Sequence, residues 1–195
     1  TRLKAEAICQ LAAAAPSTLV VVDELYEAFT GDSVLPQADF SATPNLVVLR
    51  SLSKTAGIAG LRLGIAVGSA AVVDRISRVT GPYDINSFAV VAGMAALQDQ
   101  AYVDDYVKEV LKAKAWLVNK LNKHQVRHHS AGGNYLLIWP SQGAASCEAA
   151  LRQDGILVRS MAGKALIDGS LRVSIGTSKQ MKRFWKAFSA QQGLG

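Results

Sequence analysis

Cysteine is scarce in this chain: of 195 residues only Cys9 and Cys147 carry a thiol. No CxxC pair exists and no histidine stands at ligand spacing beside either, so neither a disulfide framework nor a thiolate metal site is expected. Histidine is nearly as rare, with His124, His128 and His129 crowded into one segment. If that segment is a strand, the adjacent pair points to opposite faces, and no metal site is expected there. Charge is modest at 18% against 50% hydrophobic residues, which excludes an intrinsically disordered chain. Long apolar runs are also missing. The longest uncharged one, Phe88 to Leu97, has ten residues and is too short to span a bilayer. The opening stretch, Thr1 to Gln10, carries charges at Arg2, Lys4 and Glu6 and lacks the apolar core and cleavage pattern of a secretory signal, so a cytoplasmic address is the default.

The formal charge is +6, but Lys and Arg are dispersed from Arg2 to Lys186 with no stripe interleaving them with aromatics, so no nucleic-acid partner is expected. The densest basic group, Lys179, Lys182, Arg183 and Lys186, has helical spacing opposite Met181, Phe184, Trp185 and Phe188, and reads as a solvated helix face behind a packed one. A phosphorylated or carboxylated small substrate suits the positive balance equally well.

Residues Arg2 to Ala15 read as a helix ended by Pro16. Thr18 to Val22, β-branched and apolar, predicts a strand buried on both faces of a parallel sheet and ending at Asp23. Asn45 to Leu49 predicts a second buried strand, and Leu61 to Val67 a third, interrupted by glycines. Helices are expected over Ala71 to Arg78 and, buried, over Ser87 to Leu97, with a turn at Gly81-Pro82 between them. Val103, Tyr106, Val107, Val110, Leu117 and Leu121 then mark a long amphipathic helix. Strands follow at Gln125 to His129, Asn134 to Trp139, Ile156 to Arg159 and Leu171 to Ile175, with helices at Ser146 to Gln153 and Ser178 to Ala190. The expected class is α/β, with a domain boundary near Asp99: residues 1–98 form a largely parallel sheet with helices on both faces, and residues 99–195 a linking helix and a smaller α/β domain. Few strands precede the long helix and the first residue is Thr1, so the chain is expected to be the C-terminal part of a longer protein.

The most informative stretch is Leu49 to Gly64, LRSLSKTAGIAGLRLG. It places Ser51, Ser53 and Lys54 at the end of a buried strand, then glycines that let backbone approach a ligand, then Arg62. Partial desolvation of a lysine there lowers its pKa and frees the neutral amine as a nucleophile. Asp23-Glu24-Leu25-Tyr26 ends the preceding strand, and if the two strands are neighbours their tips share the crevice where open α/β sheets bind ligands. Singly, each residue has a plain role: a solvated lysine, a turn-capping aspartate, a half-buried tyrosine, an arginine paired with Asp23 or Glu24. Together they supply what pyridoxal phosphate requires. Its aldehyde needs a lysine for the Schiff base, its pyridine nitrogen a carboxylate, its ring oxygen a phenol, and its phosphate hydroxyls and a guanidinium.

DELY, SLSK and LRLG at these spacings resemble the fold-type I aminotransferases, in particular the histidinol-phosphate aminotransferase branch, from about Val20 to the C-terminus. The resemblance implies a pyridoxal-phosphate-dependent transaminase exchanging an amino group between a small-molecule donor, histidinol phosphate, and a 2-oxo acid, 2-oxoglutarate, in histidine biosynthesis. It implies that Lys54 bonds the cofactor and carries the proton of the substrate α-carbon. Asp23 then pairs with the ring nitrogen, Tyr26 with the ring oxygen, and Ser51, Ser53 and Arg62 with the phosphate. In LRVSIG it makes Arg172 the clamp on a substrate α-carboxylate, and in ILVRS it makes Arg159 a ligand of the substrate phosphate. Arg172 inside its strand could instead pair with Asp168 or face solvent. Asn134, in GGNYLLIW, resembles a structural position near the site, and Pro82-Tyr83 with Asn86-Ser87 a loop facing a second subunit, which implies a homodimer. An asparagine for the ring oxygen, an aromatic that stacks on the ring and a partner-subunit tyrosine belong to the family pattern upstream of Thr1. These 195 residues alone are therefore expected to bind cofactor poorly.

Threonine-phosphate decarboxylases and aromatic aminotransferases share nearly all these residues and differ in substrate-side contacts. A non-catalytic family remnant is a further reading, which the joint retention of Lys54, Asp23, Tyr26 and Arg62 opposes. Taking Ser51 to Lys54 as the SxxK of an acyl-enzyme hydrolase requires SDN and KTG elements, and neither occurs.

Overall fold

β-Branched runs flanked by turn residues build the first sheet. The computed structural model describes residues 2–81 and 83–194, and the chain divides into one unit up to Asp105 and a second from Tyr106. In the first unit, helix α1 (Ala5–Ala14) leads to strand β1 (Val20–Asp23), which pairs in parallel with β2 (Leu46–Ser51) so that Asp23 lies opposite Leu49. β3 (Gly64–Gly68) takes the other edge of β2 and runs antiparallel to it, not in the parallel sense expected. The intervening residues 52–63 form short turns and no crossover helix, so the chain returns antiparallel. The core of this unit is Ala12, Val34, Leu46 and Val48, with Ile8, Val20, Val22, Phe40 and Val67 against it.

Two burial expectations fail here. β1 is covered on one face only, with Val21 52% exposed. Helix α4 (Ser87–Gln98) forms where predicted, but it buries only Ala89 and Gly93, while Phe88 is 82% and Val91 71% exposed. Residue composition sets how much apolar surface an element has, but not which neighbours cover it. The turn placed at Gly81-Pro82 includes Pro82, which lies outside the described residues.

Asn45 ties α1 to the sheet. Its Nδ2 lies 3.0 Å from the carbonyls of Ala12 and Ala15 and 2.9 Å from that of Thr18, joining the last turn of α1 to the loop that follows it. The residue is 8% exposed. Asn45→Ala is expected to cost about 1–3 kcal/mol in urea unfolding, since buried carbonyls lose their donor. A change below about 0.5 kcal/mol, the low end for one hydrogen bond, would mean that water replaces the amide.

Helix α2 (Glu27–Thr30) and helix α3 (Ala70–Val79), capped by the Ser69 hydroxyl, complete the elements before α4. Helix α5 (Gln100–Lys123) begins in the first unit and continues into the second, burying Val110, Ala113, Leu117 and Leu121 at the expected spacing. The second sheet has order β4-β5-β7-β6, all antiparallel, from β4 (His128–His129), β5 (Tyr135–Ile138), β6 (Arg159–Ser160) and β7 (Leu171–Ser174). One face presents Leu136, Ile138, Leu171 and Val173, all buried. Helices α6 (Ala144–Gln153) and α7 (Ser178–Gln191) pack on each other. α7 buries Met181, Phe184 and Phe188 and leaves Lys179, Lys182, Arg183 and Lys186 in solvent, as its spacing predicts. Its start is fixed by a Thr177–Gln180 capping box and by Glu109, whose carboxylate accepts the Ser178 N–H at 2.7 Å. That backbone bond, with the Ser178 hydroxyl, lowers the Glu109 pKa. Burial raises the Cys147 thiol to about 11, which marks it as a packing residue.

Candidate active site

Parallel pairing of β1 with β2 brings two chain segments out at the same sheet edge. Asp23 is the last residue of β1, and its Oδ1 accepts the Leu25 N–H at 3.1 Å, turning the chain away from the sheet. Glu24 N–H still bonds Leu49 O at 3.0 Å, so the two strands stay side by side one residue beyond Asp23. Tyr26 then stands at the start of α2, which closes at Gly31 with φ +69°, a left-handed position suited to glycine.

Beyond Leu49, β2 runs two residues further to Ser51, and the chain turns through Leu52, Ser53 and Lys54. The Ser51 hydroxyl organises this turn, accepting the Ser53 N–H at 3.1 Å and donating to Leu63 O at 3.4 Å. Lys54 is half-buried, and its Nζ lies 5.7 Å from the centroid of the Tyr26 ring, within cation–π range. An amine from one strand tip thus meets a phenol from the other, three residues after the Asp23 carboxylate. Helix α4 supports the same segment. A side chain at Gly93 would collide with Leu63 Cδ2, and Asn86 Nδ2 donates to Leu61 O at 3.4 Å.

Arg62 is placed differently from the hydroxyls. It sits at φ +59° after a short 3-10 turn (Ala59–Leu61), exposed, with Nη1 donating to Ala59 O at 3.3 Å. The structure therefore brings together Tyr26 and Lys54, and joins Ser51 to Ser53, while the Arg62 guanidinium caps its own turn.

In the second unit, Arg159 and Arg172 are direct cross-strand partners on β6 and β7. Such partners share a sheet face with Cβ atoms about 4.5–5.5 Å apart. Arg172 also lies opposite Leu137, two residues from Tyr135, and its guanidinium carbon stands 4.3 Å from the Tyr135 ring centroid. Asp168, considered above as a partner for Arg172, has its Oδ1 accepting the N–H groups of Gly163 at 2.7 Å and Gly169 at 2.9 Å. Tyr135 escaped the sequence reading, although its place two residues before Leu137 put it on the same face.

Residues 1–188 match the family described as aminotransferase class I and II. This chain belongs to that family. It is 36% identical over 180 residues to the histidinol-phosphate aminotransferase of Symbiobacterium thermophilum, an alignment covering 92% of this chain and 50% of that protein. The L-threonine-O-3-phosphate decarboxylase of Porphyromonas gingivalis superposes with a TM-score of 0.82 at 25% identity, covering 97% of this chain and 59% of that one. The histidinol-phosphate aminotransferase of Sinorhizobium meliloti, solved in complex with pyridoxal-5'-phosphate, shares the fold with a TM-score of 0.82 at 21% identity, covering 97% and 53%. The chain spans about half the length of the curated relatives it matches. Among the described residues, no helix of this family member is long and apolar enough to cross a membrane.

The donor set fits pyridoxal phosphate. A half-buried amine stands over a phenol, two hydroxyls lie in the turn that carries this amine, and a carboxylate ends the neighbouring strand, while Gly57 and Gly60 leave open the space a Cβ would occupy.

Proposed function

We propose that this chain carries the cofactor-binding and proton-transfer residues of a pyridoxal-phosphate-dependent transaminase that exchanges an amino group between histidinol phosphate and 2-oxoglutarate. The observation that carries the reading is the approach of Lys54 Nζ to the Tyr26 ring across two adjacent strand tips, 5.7 Å from amine to centroid. The cofactor, when bound, supplies an aldehyde that condenses with amines and a pyridinium ring that accepts an electron pair. Lys54 would hold it covalently and would then carry the proton of the substrate α-carbon. Asp23 would pair with the protonated ring nitrogen, and Tyr26 would donate to the ring oxygen. Ser51, Ser53 and Arg62 bind the phosphate, which asks the Arg62 side chain to leave the Ala59 carbonyl. We assign Arg172 to the α-carboxylate of the glutamate half-reaction and Arg159 to the phosphate of the other substrate. Both assignments are supported by their direct cross-strand pairing. A homodimer in the cytoplasm belongs to the same reading, supported by the exposed apolar residues of α4, which ask for a covering surface.

The test is to add pyridoxal phosphate to the protein at its native length, reduce with borohydride and map the modified peptide. The label is expected on Lys54, and its appearance on another lysine would overturn the assignment. Decarboxylation is the competing chemistry, since the superposing decarboxylase is 25% identical to this chain over the aligned part. Amino transfer from histidinol phosphate to 2-oxoglutarate, set against release of carbon dioxide from an O-phosphorylated amino acid, decides between them.

A further inference from the structure

A polar cluster joins the two strand tips, and none of the roles above uses it. Arg50 is the penultimate residue of β2, directly before Ser51. Its Nε donates to Glu24 Oε2 at 2.8 Å, its Nη1 to Glu27 Oε2, and its Nη2 to Ser33 Oγ at 3.0 Å. The Glu24 carboxylate, 6% exposed, also accepts the Val34 N–H at 2.6 Å and the Ser33 hydroxyl at 3.1 Å. The chain neighbours of these acids matter: Glu24 directly follows Asp23, and Glu27 directly follows Tyr26.

A guanidinium is planar and always charged, so three donors spent in one fork fix both the distance and the angle between the segments they join. Stability alone does not account for such a device, because well-packed apolar residues stabilise as well as a buried ion pair or better. What an apolar contact does not supply is a fixed orientation. We infer that Arg50 is a positioning residue. Through Glu24 and Glu27 it sets the segment bearing Asp23 and Tyr26 against the strand bearing Ser51, so that the cofactor ring meets carboxylate and phenol in one orientation. The inference rests on the transaminase reading above.

The test uses the protein at its native length with Arg50→Lys, Arg50→Ala and Glu27→Gln. Three quantities are read: the dissociation constant for pyridoxal phosphate, the pH midpoint of the bound cofactor's visible absorbance, and the melting temperature of the cofactor-free protein. Arg50→Lys keeps the charge and loses the fork. It is expected to weaken cofactor binding about tenfold, the lower end of what supporting partners contribute at other sites. The midpoint is expected to move up, because a misaligned Asp23 leaves the ring less positive. Arg50→Ala should go further in both, and Glu27→Gln, at the more exposed arm, should show the midpoint shift with little change in melting. If Arg50→Ala does not fold, the other two variants carry the test.

Folded variants that bind cofactor with wild-type affinity and midpoint overturn the inference. So does a lowered melting temperature with both cofactor properties unmoved, which is the signature of a purely structural pair. A wild-type protein that takes no label at Lys54 overturns the transaminase reading itself. A labelled wild type with unmoved variants overturns only the role of Arg50.

Discussion

Turnover is expected to fall by at least about 10²–10⁴-fold when Lys54 is replaced by alanine, the range a positioned proton-transfer group contributes. Loss of the covalent attachment of the cofactor lowers it further. The loss is not expected to reflect unfolding. Among the described residues the Lys54 ammonium stands over the Tyr26 ring, a cation–π contact of about 0.5–2 kcal/mol at a half-buried site, well below the stability of a typical domain. Lys54→Arg is the sharper variant. It preserves the positive charge and the approach to Tyr26, but a guanidinium does not deprotonate in the working range, so it neither attacks an aldehyde nor accepts a proton from carbon. Arginine is therefore expected to be as inactive as alanine, measured as amino transfer by protein of native length with unchanged melting temperature. Retention of a tenth or more of wild-type turnover by either variant would remove Lys54 from the reaction.

The second unit and the strand tips of the first were legible for the same reason. Strands β2, β5 and β7 are short apolar runs bounded by turn residues, and α5 and α7 carry apolar residues at three-and-four spacing, so local pattern and tertiary fate agree. The family resemblance added the roles proposed for Lys54, Asp23 and Tyr26, and the fold puts Lys54 beside Tyr26. Elsewhere burial depends on surfaces far away in the sequence or outside it. Nothing in SFAVVAGMAALQ says whether another element lies against Phe88 and Val91, and none of the described residues covers them. The direction of β3 was missed because its glycine-interrupted run gave no sign of which way the chain returns.

Arg50 had a usable signal. A charged residue inside the buried run LVVLRS requires an acid within reach, and three acids lie in DELYE at the tip of the neighbouring strand, two of which, Glu24 and Glu27, pair with Arg50. Arg62, outside the strand, was considered for that partnership instead. Side-chain direction decided the matter, because pairing Arg50 with Glu24 needs both strand register and the turn after Asp23.

Removing Arg159 or Arg172 is expected to lower kcat/KM for the phosphorylated or carboxylated substrate by about 10–150-fold, the equivalent of one charge-assisted hydrogen-bond set of about 1.5–3 kcal/mol. Stability should move the other way for Arg159. Two arginines directly opposite on adjacent antiparallel strands repel each other, at about 0.2–1 kcal/mol for such a pair, and the exposure of Arg159 places its share near the lower end. Arg159→Ala is therefore expected to leave unfolding free energy unchanged or slightly raised while substrate binding weakens. A residue kept only for the sheet would show the opposite sign. Arg172 differs because its guanidinium rests 4.3 Å from the Tyr135 ring centroid, a contact that offsets the repulsion and holds the fork in place for a carboxylate. Tyr135→Leu should accordingly weaken the carboxylate substrate by a smaller factor than Arg172→Ala, and Arg172→Lys should not rescue, since an ammonium makes no two-pronged contact. Matching losses of stability and activity across Arg159→Ala and Arg172→Ala would reduce the pair to ordinary sheet residues. Divergent signs would mark a site that accepts like-charge strain when empty because an anion relieves it when bound.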